Sequence, residues 1–208
     1  MNRVNTPTIL FYVFNRLHWR IPVEKPQLFL TFDDGPIPEN TGWILEQLAD
    51  FDAKATFFCV GDNVRKYPEL LEKIIEEGHA VGNHTFNHLN GWKTKTSDYI
   101  ENINKAQELI KSDLFRPPYG KFNLKQKNIL QKRFHIIMWD VLSRDYDASV
   151  SPEDCFMNVA RHAKEGSIVI FHDSVKSAER LQYALPQTLE HFSRKGYSFP
   201  SISSSCFS

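Results

Sequence analysis

Short apolar runs alternate along this chain with longer segments of helical period, and that alternation constrains the fold more than any other feature. Runs at 27–32, 55–60, 79–82, 134–139 and 167–171 have the length and apolar content of buried strands. Between and after them, 40–50, 64–77, 97–112, 124–132, 152–164 and 177–195 carry apolar residues at helical spacing. Gly78, Gly166 and Gly196 stand where helices would stop before the next apolar run. The pattern predicts successive βα units around a mostly parallel sheet, an α/β fold in a single domain. At 208 residues the chain suits either an open doubly wound sheet or a barrel, and periodicity does not choose between them. Both arrangements put function at the C-terminal ends of the strands.

Those ends are rich in polar groups. Asp33 and Asp34 follow the first run in TFDDGP, and His84 and His88 follow the third in HTFNH. Asp140 and Asp145 follow the run at 134–139, His172 and Asp173 follow the last, and FRPPYG occupies 115–120. Eight histidines in 208 positions give the HTFNH spacing by chance about 0.3 times, so the recurrence along successive units carries the argument, not that pair alone. Two adjacent carboxylates repel unless cations compensate them. A divalent metal on one and an arginine near the other would do so, and Gly35-Pro36 would turn the chain so that both reach one cleft. The histidine pair would share one face of a helical turn, and a carboxylate from another strand end would complete a three-ligand site with an open position. The competing reading is that the two aspartates only cap the next helix.

Composition excludes several classes. Lysine plus arginine number 25 and aspartate plus glutamate number 25, so no net field recommends nucleic acid as a partner. Cys59, Cys155 and Cys206 form neither a CxxC pair nor a disulfide framework. The apolar stretch ILFYVF at 9–14 is short for a signal-peptide core, and no run approaches the ~20 residues of a membrane span. The expectation is a protein without an integral membrane segment, cytoplasmic in preference to exported to the cell envelope. The expected layout is an N-terminal segment, 1–26, packed on a domain at 27–200, with a serine-rich tail at 201–208 that frays.

TFDDGP, HTFNH, RPPYG, RDY and IVIFHD occur in the order of the five motifs of the polysaccharide deacetylase family, also called the NodB-homology domain or carbohydrate esterase family 4. The chain resembles that family from about Gln27 to Phe199. The resemblance implies a distorted, incomplete (β/α) barrel, a divalent metal of the zinc type, with cobalt or nickel as alternatives, and removal of acetyl groups from an N-acetylated carbohydrate, most often N-acetylglucosamine. Carried to the matching positions, it makes Asp34, His84 and His88 metal ligands, Asp33 the general base and Arg116 the group that orients this base. It makes His172 the general acid, supported by Asp145, and gives the backbone N–H of Tyr119 a part in holding the oxyanion. Ile170 would line the acetyl pocket. The fourth motif departs from the family pattern, with Leu142 in place of its first acid and Tyr146 in place of its tryptophan. Tyr146 would keep an aromatic wall and add a hydroxyl, and Asp140 is the fallback partner for His172.

Outside the motifs, Trp92 reads equally as a platform for a sugar ring or as packing. Trp43 and Trp139 read as core, Lys93-Thr-Lys95 as a solvated loop, and His18, His79, His135, His162 and His191 as structural or solvated. Two further functions stand beside the deacetylase: a same-fold hydrolase of a cyclic amide or imide, and a non-catalytic carbohydrate-binding protein.

Overall fold

The computed structural model describes residues 4–6 and 17–207. The apolar stretch at 9–14 lies outside them. Eight strands, β1 (Leu17–His18), β2 (Phe29–Asp33), β3 (Thr56–Cys59), β4 (Ala80–Asn83), β5 (Leu114–Phe115), β6 (His135–Ile137), β7 (Val141–Leu142) and β8 (Ile168–His172), form one sheet. Its order is β1-β6-β5-β4-β3-β2-β8-β7, with every neighbouring pair parallel. Among the described residues the α-helices are α1 (Thr41–Ala49), α2 (Gly61–Lys66), α3 (Pro68–Glu76), α4 (Thr96–Ile110), α5 (Leu124–Leu130), α6 (Pro152–His162) and α7 (Ala178–Ser193).

Side-chain parity shows how the sheet curls. Leu28, Leu30, Phe32, Phe57, Val169 and Phe171 join α1, α6 and α7 in one apolar cluster, while Phe29, Phe58, Leu114, Ile137 and Ile168 form another with Ile21 and Ile202. Successive residues of a strand point to opposite faces, so the second cluster is the inner face of a barrel and the first lies under the helices. Residues after the ends of β2, β4, β6, β7 and β8 line one cleft, which a flat sheet of this order would not allow. Among the described residues the edge strands β1 and β7 do not pair with each other, and residues 4–6 run along β7, Asn5 bridging to Val141, so the structure is an incomplete (β/α) barrel. Gly82 belongs to the inner set: a Cβ there would lie 2.5 Å from the Phe58 ring.

Three differences from the sequence reading have physical causes. β1, β5 and β7 have two residues each, too few to show a period. The helix expected over 64–77 is two helices, because Tyr67 takes φ −132° and ψ 59° before Pro68, the first residue of α3, and a residue preceding proline is disfavoured in helical conformation. The tail expected to fray is packed: Ile202 is fully buried, its N–H donates to Thr56 Oγ1 at 2.8 Å, and residues 204–207 form a 3-10 turn. Thr56 opens β3, so the tail covers the N-terminal end of the barrel, opposite the cleft.

Candidate active site

β2 delivers the two aspartates. Phe29, Thr31 and Asp33 share the inward parity, and Asp33 lies in register with His172 of β8. Extended backbone would send Asp34 outward, but Asp34 itself adopts φ 80°. This left-handed conformation is rare outside glycine and tolerated by aspartate, and it turns the second carboxylate back to the cleft. Gly35 has a different task from turning the chain, since a Cβ at this position would overlap Asp173 Oδ2. Asn63 Nδ2 donates to the Asp34 carbonyl at 2.8 Å and fixes the turn.

The histidines are not on a helical turn. His84 continues the inward parity of β4, and 84–90 is a loop in which Thr85 and His88 take φ of 65° and 54°. Asn102 of α4 holds that loop by accepting from the N–H groups of Phe86 and Asn87, at 2.8 and 3.0 Å. Thr85 Oγ1 accepts from Leu89 N–H at 3.1 Å. The loop places His88 Nε2 3.1 Å and His84 Nε2 3.8 Å from Asp34 Oδ1.

Together Asp34, His84 and His88 present three ligand atoms within 4.8 Å of one another. The donor set, one carboxylate and two imidazoles, fits a divalent cation of the zinc type. His84 Nδ1 lies 2.7 Å from the Arg116 carbonyl; donation there leaves the Nε2 lone pair facing the cleft. Burial lowers the His84 pKa to about 4 against the pull of Asp33 and Asp34, so this imidazole is neutral at neutral pH. Burial alone would raise the Asp34 pKa, but the His88 hydrogen bond and the fields of His172, His84 and His88 hold its carboxyl well below the usual range. Both residues therefore stand in the protonation state that a metal ligand needs.

Asp33 has separate support. Arg116, fully buried after β5, donates through Nη1 to Asp33 Oδ1 at 2.7 Å and to Thr31 Oγ1 at 2.7 Å. Its Nε and Nη2 donate to the carbonyls of Ile137 and Met138, and the guanidinium lies 4.0 Å over the Phe58 ring. The planar fork is thus used on every side and fixes the carboxylate between the inner faces of β2 and β6.

Across the cleft, His172 Nδ1 donates to Asp145 Oδ1 at 2.7 Å, and His172 N–H donates to Asp145 Oδ2 at 2.7 Å. Burial would depress the His172 pKa, but the Asp145 carboxylate, aided by Asp34 and Asp33, raises it to about 9. Asp140, the fallback partner, is occupied elsewhere: Arg20 Nε donates to it at 3.0 Å and Ser167 Oγ at 2.5 Å. Tyr146 sets its ring edge-on to His172 at 5.0 Å, and Tyr119 does the same to His88 at 4.6 Å, with φ 61° at Tyr119.

The cleft has a volume of about 660 Å3. Ile170, Leu142, Trp92 and Trp139 are among its walls. Trp139, expected in the core, is half-buried and faces the cleft, packed so closely on Gly120 that a Cβ there would lie 2.5 Å from the indole. Trp92 is 68% exposed; its edge is anchored by Nε1 donating to the Phe122 carbonyl, and Lys121 Nζ lies over one face of the ring.

Sequence reasoning missed Thr31, whose only signal is its inward parity with Asp33. It also missed Arg180, buried in α7, which donates from Nε to the Asp145 carbonyl at 2.6 Å and from Nη2 to the Lys176 carbonyl. Nothing around Arg180 in the sequence marks it. Of the other histidines, His79 Nδ1 accepts from Ala55 N–H at 3.1 Å, His135 stacks on Phe207 with His18 tilted against the same ring, His191 packs edge-on to Phe156 and Phe192, and His162 is exposed.

The family model for polysaccharide deacetylase matches residues 20–133. A peptidoglycan-N-acetylglucosamine deacetylase of Bacillus cereus is 31% identical, over 89% of this chain and 90% of its own length. A chitooligosaccharide deacetylase of Azorhizobium caulinodans is 32% identical, over 74% and 77%. Some other relatives are longer, the match spanning 58% of one and 37% of another. A crystal structure of a peptidoglycan N-acetylglucosamine deacetylase in complex with an N-hydroxybenzamide compound superimposes with a TM-score of 0.87 at 30% identity, covering 95% of each chain. With a family match over more than half its length, a relative aligned almost end to end and the same incomplete barrel, this chain belongs to the polysaccharide deacetylase family.

Proposed function

We propose that the chain is a metal-dependent hydrolase that removes the acetyl group from an N-acetylated carbohydrate, with Asp33 as base and His172 as acid. One observation carries the reading. A single cleft sets a carboxylate pinned by a buried arginine and an imidazolium held by a buried carboxylate around a three-donor metal site.

Asp34, His84 and His88 would hold the ion, zinc by the chemistry of the donors, with cobalt or nickel as substitutes. Bound there, a divalent cation supplies polarisation of a carbonyl and acidification of water. Asp33, held in place by Arg116, takes the proton of the attacking water. His172, protonated below about pH 9, delivers a proton to the departing amine nitrogen. The Tyr119 N–H contributes to the oxyanion site, a kind of donor whose removal typically costs about 10²–10³ in rate. Ile170 and Leu142 offer an apolar wall to the acetyl methyl, and Trp92 and Tyr146 offer faces for sugar rings.

The relatives named for peptidoglycan and for chitooligosaccharides support a sugar substrate. A cleft open between exposed aromatics on two sides suits an oligosaccharide better than a small cyclic amide. Retention of the Asp33–Arg116 and His172–Asp145 pairs disfavours a non-catalytic binder.

The test is acetate release from N-acetylglucosamine oligomers together with metal analysis. Asp33→Asn should keep stoichiometric metal and lose about 10²–10⁴ in turnover, whereas the His84→Ala, His88→Ala double variant should lose both. Near-normal turnover by Asp33→Asn, or full metal in the double variant, would overturn the assignment.

A further inference from the structure

Two lysines flank the cleft in matching surroundings. Lys176, just after β8, has its Nζ 5.9 Å from the Tyr146 ring centroid, and Lys121, after β5, has its Nζ 5.3 Å from that of Trp92. All four side chains line the cleft, and both rings are exposed, Trp92 by 68% and Tyr146 by 38%. The sheet order puts the pairs on opposite sides of the reacting groups: β5 and β8 are separated by four inter-strand steps, with β2 and its aspartates between them. At the usual strand spacing that is about 19 Å of arc along the rim, roughly 14 Å from β5 to β2 and roughly 5 Å from β2 to β8.

The two ammonium groups lack carboxylates of their own. Among the described residues no acidic side chain forms an ion pair with Lys121, and the one beside Lys176 is Asp34, whose Oδ2 lies 4.0 Å from Nζ. Asp34 is one of the three residues that would hold a cation, and an ion there would draw that carboxylate away from Lys176, which lines the cleft. The neighbouring arginines are committed: Arg144 pairs with Asp147 at 2.6 Å, and Arg180 is tied to backbone carbonyls. With 25 basic and 25 acidic residues in the chain, this is a local feature and not a general attraction for polyanions.

Resting on the deacetylase reading, we propose that Lys176 and Lys121 are specificity-determining residues that select glycans carrying a carboxylate on the sugars flanking the reacting acetamide. Each ammonium stands over one face of its ring; the opposite face can receive the C–H face of a pyranose, with a substituent of that sugar reaching the ammonium past the ring edge. A single ammonium on each flank matches a monoanion; it lacks the guanidinium fork that suits phosphate. In an alternating N-acetylglucosamine–N-acetylmuramic acid chain, each neighbour of a reacting N-acetylglucosamine bears a lactyl carboxylate. In an N-acetylglucosamine homopolymer the neighbours are neutral. Lys176 and Lys121 act on substrate placement and take no part in proton transfer.

The experiment compares an alternating N-acetylglucosamine–N-acetylmuramic acid tetramer with free lactyl carboxylates against an N-acetylglucosamine tetramer. Acetate release by the metal-loaded enzyme and binding to the metal-free protein are both measured, for the wild type, Lys176→Met and Lys121→Met. The expected result is that each variant lowers the preference for the carboxylated tetramer by roughly three- to tenfold, through KM and binding. Raising the salt concentration should shrink the wild-type preference in the same way. An unchanged ratio in both variants overturns the proposal. So does an equal fall in kcat on both tetramers, which would place Lys176 in the chemistry. If the wild type releases acetate from neither tetramer yet binds the carboxylated one more tightly through these lysines, the deacetylase reading fails and the lysine assignment stands.

Discussion

The dyad of His172 and Asp145 decides how the cleft behaves with pH. His172 is raised to about 9 against the effect of its own burial, with the Asp145 carboxylate as the strongest upward influence. A group raised in the folded protein holds its proton up to that value, so an acid role is available below about pH 9 and lost above it. The kcat profile should therefore fall on its alkaline limb at or below about pH 9. Asp145→Asn keeps a hydrogen-bond acceptor for Nδ1 but removes the charge, so the limb should move to lower pH and kcat at neutral pH should drop; measured profiles of the two proteins check this. An alkaline limb at the same pH in both would assign it to another group. Asp145 was legible from RDY because only the first and last positions of that motif depart from the family pattern and its acid is kept; Leu142 and Tyr146 stand in the cleft wall.

At the scale of elements, the end of β2 shows which parts of the site a sequence reveals. The apolar run, the two acids and the following glycine and proline were visible, and the inward parity of Asp33 follows from strand period alone. The left-handed φ of Asp34 and the role of Gly35 were not, because both depend on Asp173 and Asn63 arriving from elsewhere in the fold. The expected helical turn at HTFNH failed for the same reason: Asn102 of α4 satisfies the N–H groups of Phe86 and Asn87, so the loop needs no helix to pair them. Gly35→Ala tests the strand-end geometry. Its methyl would displace the Asp173 carboxylate, itself held by Thr41 Oγ1 at 2.5 Å, or else the Asp34 turn. Metal affinity measured by calorimetry should fall at least tenfold, and an Asp173→Ala change in the same chain should restore part of it by making room. Unchanged affinity in Gly35→Ala would show that the turn adapts at no cost.

For the whole molecule, β1 and β7 are the edges of the sheet among the described residues, and the two ends of the barrel differ. The C-terminal ends of the strands carry the cleft, and the N-terminal ends are covered by the last residues of the chain. Gln27 bridges to Ser198, the Lys54 N–H donates to the Phe199 carbonyl at 2.7 Å, and Ile202 enters the inner apolar cluster with Phe29, Phe58 and Ile168. A serine-rich tail gives no periodic signal of this, since one buried isoleucine among polar residues has no pattern. Its contribution is nevertheless that of a core side chain: truncating a fully buried isoleucine removes its transfer free energy and leaves a cavity, about 2–5 kcal/mol together. Ile202→Ala should therefore lower unfolding stability by that amount in urea, with the midpoint moving and the slope unchanged. Because Ile202 sits at the barrel end opposite Asp33 and His172, acetate release per folded molecule should stay near that of the parent at temperatures where both remain folded. A loss of turnover without a loss of stability would mean that the two ends of the barrel are coupled through the inner residues of β2 and β8, the strands that the tail and the cleft share.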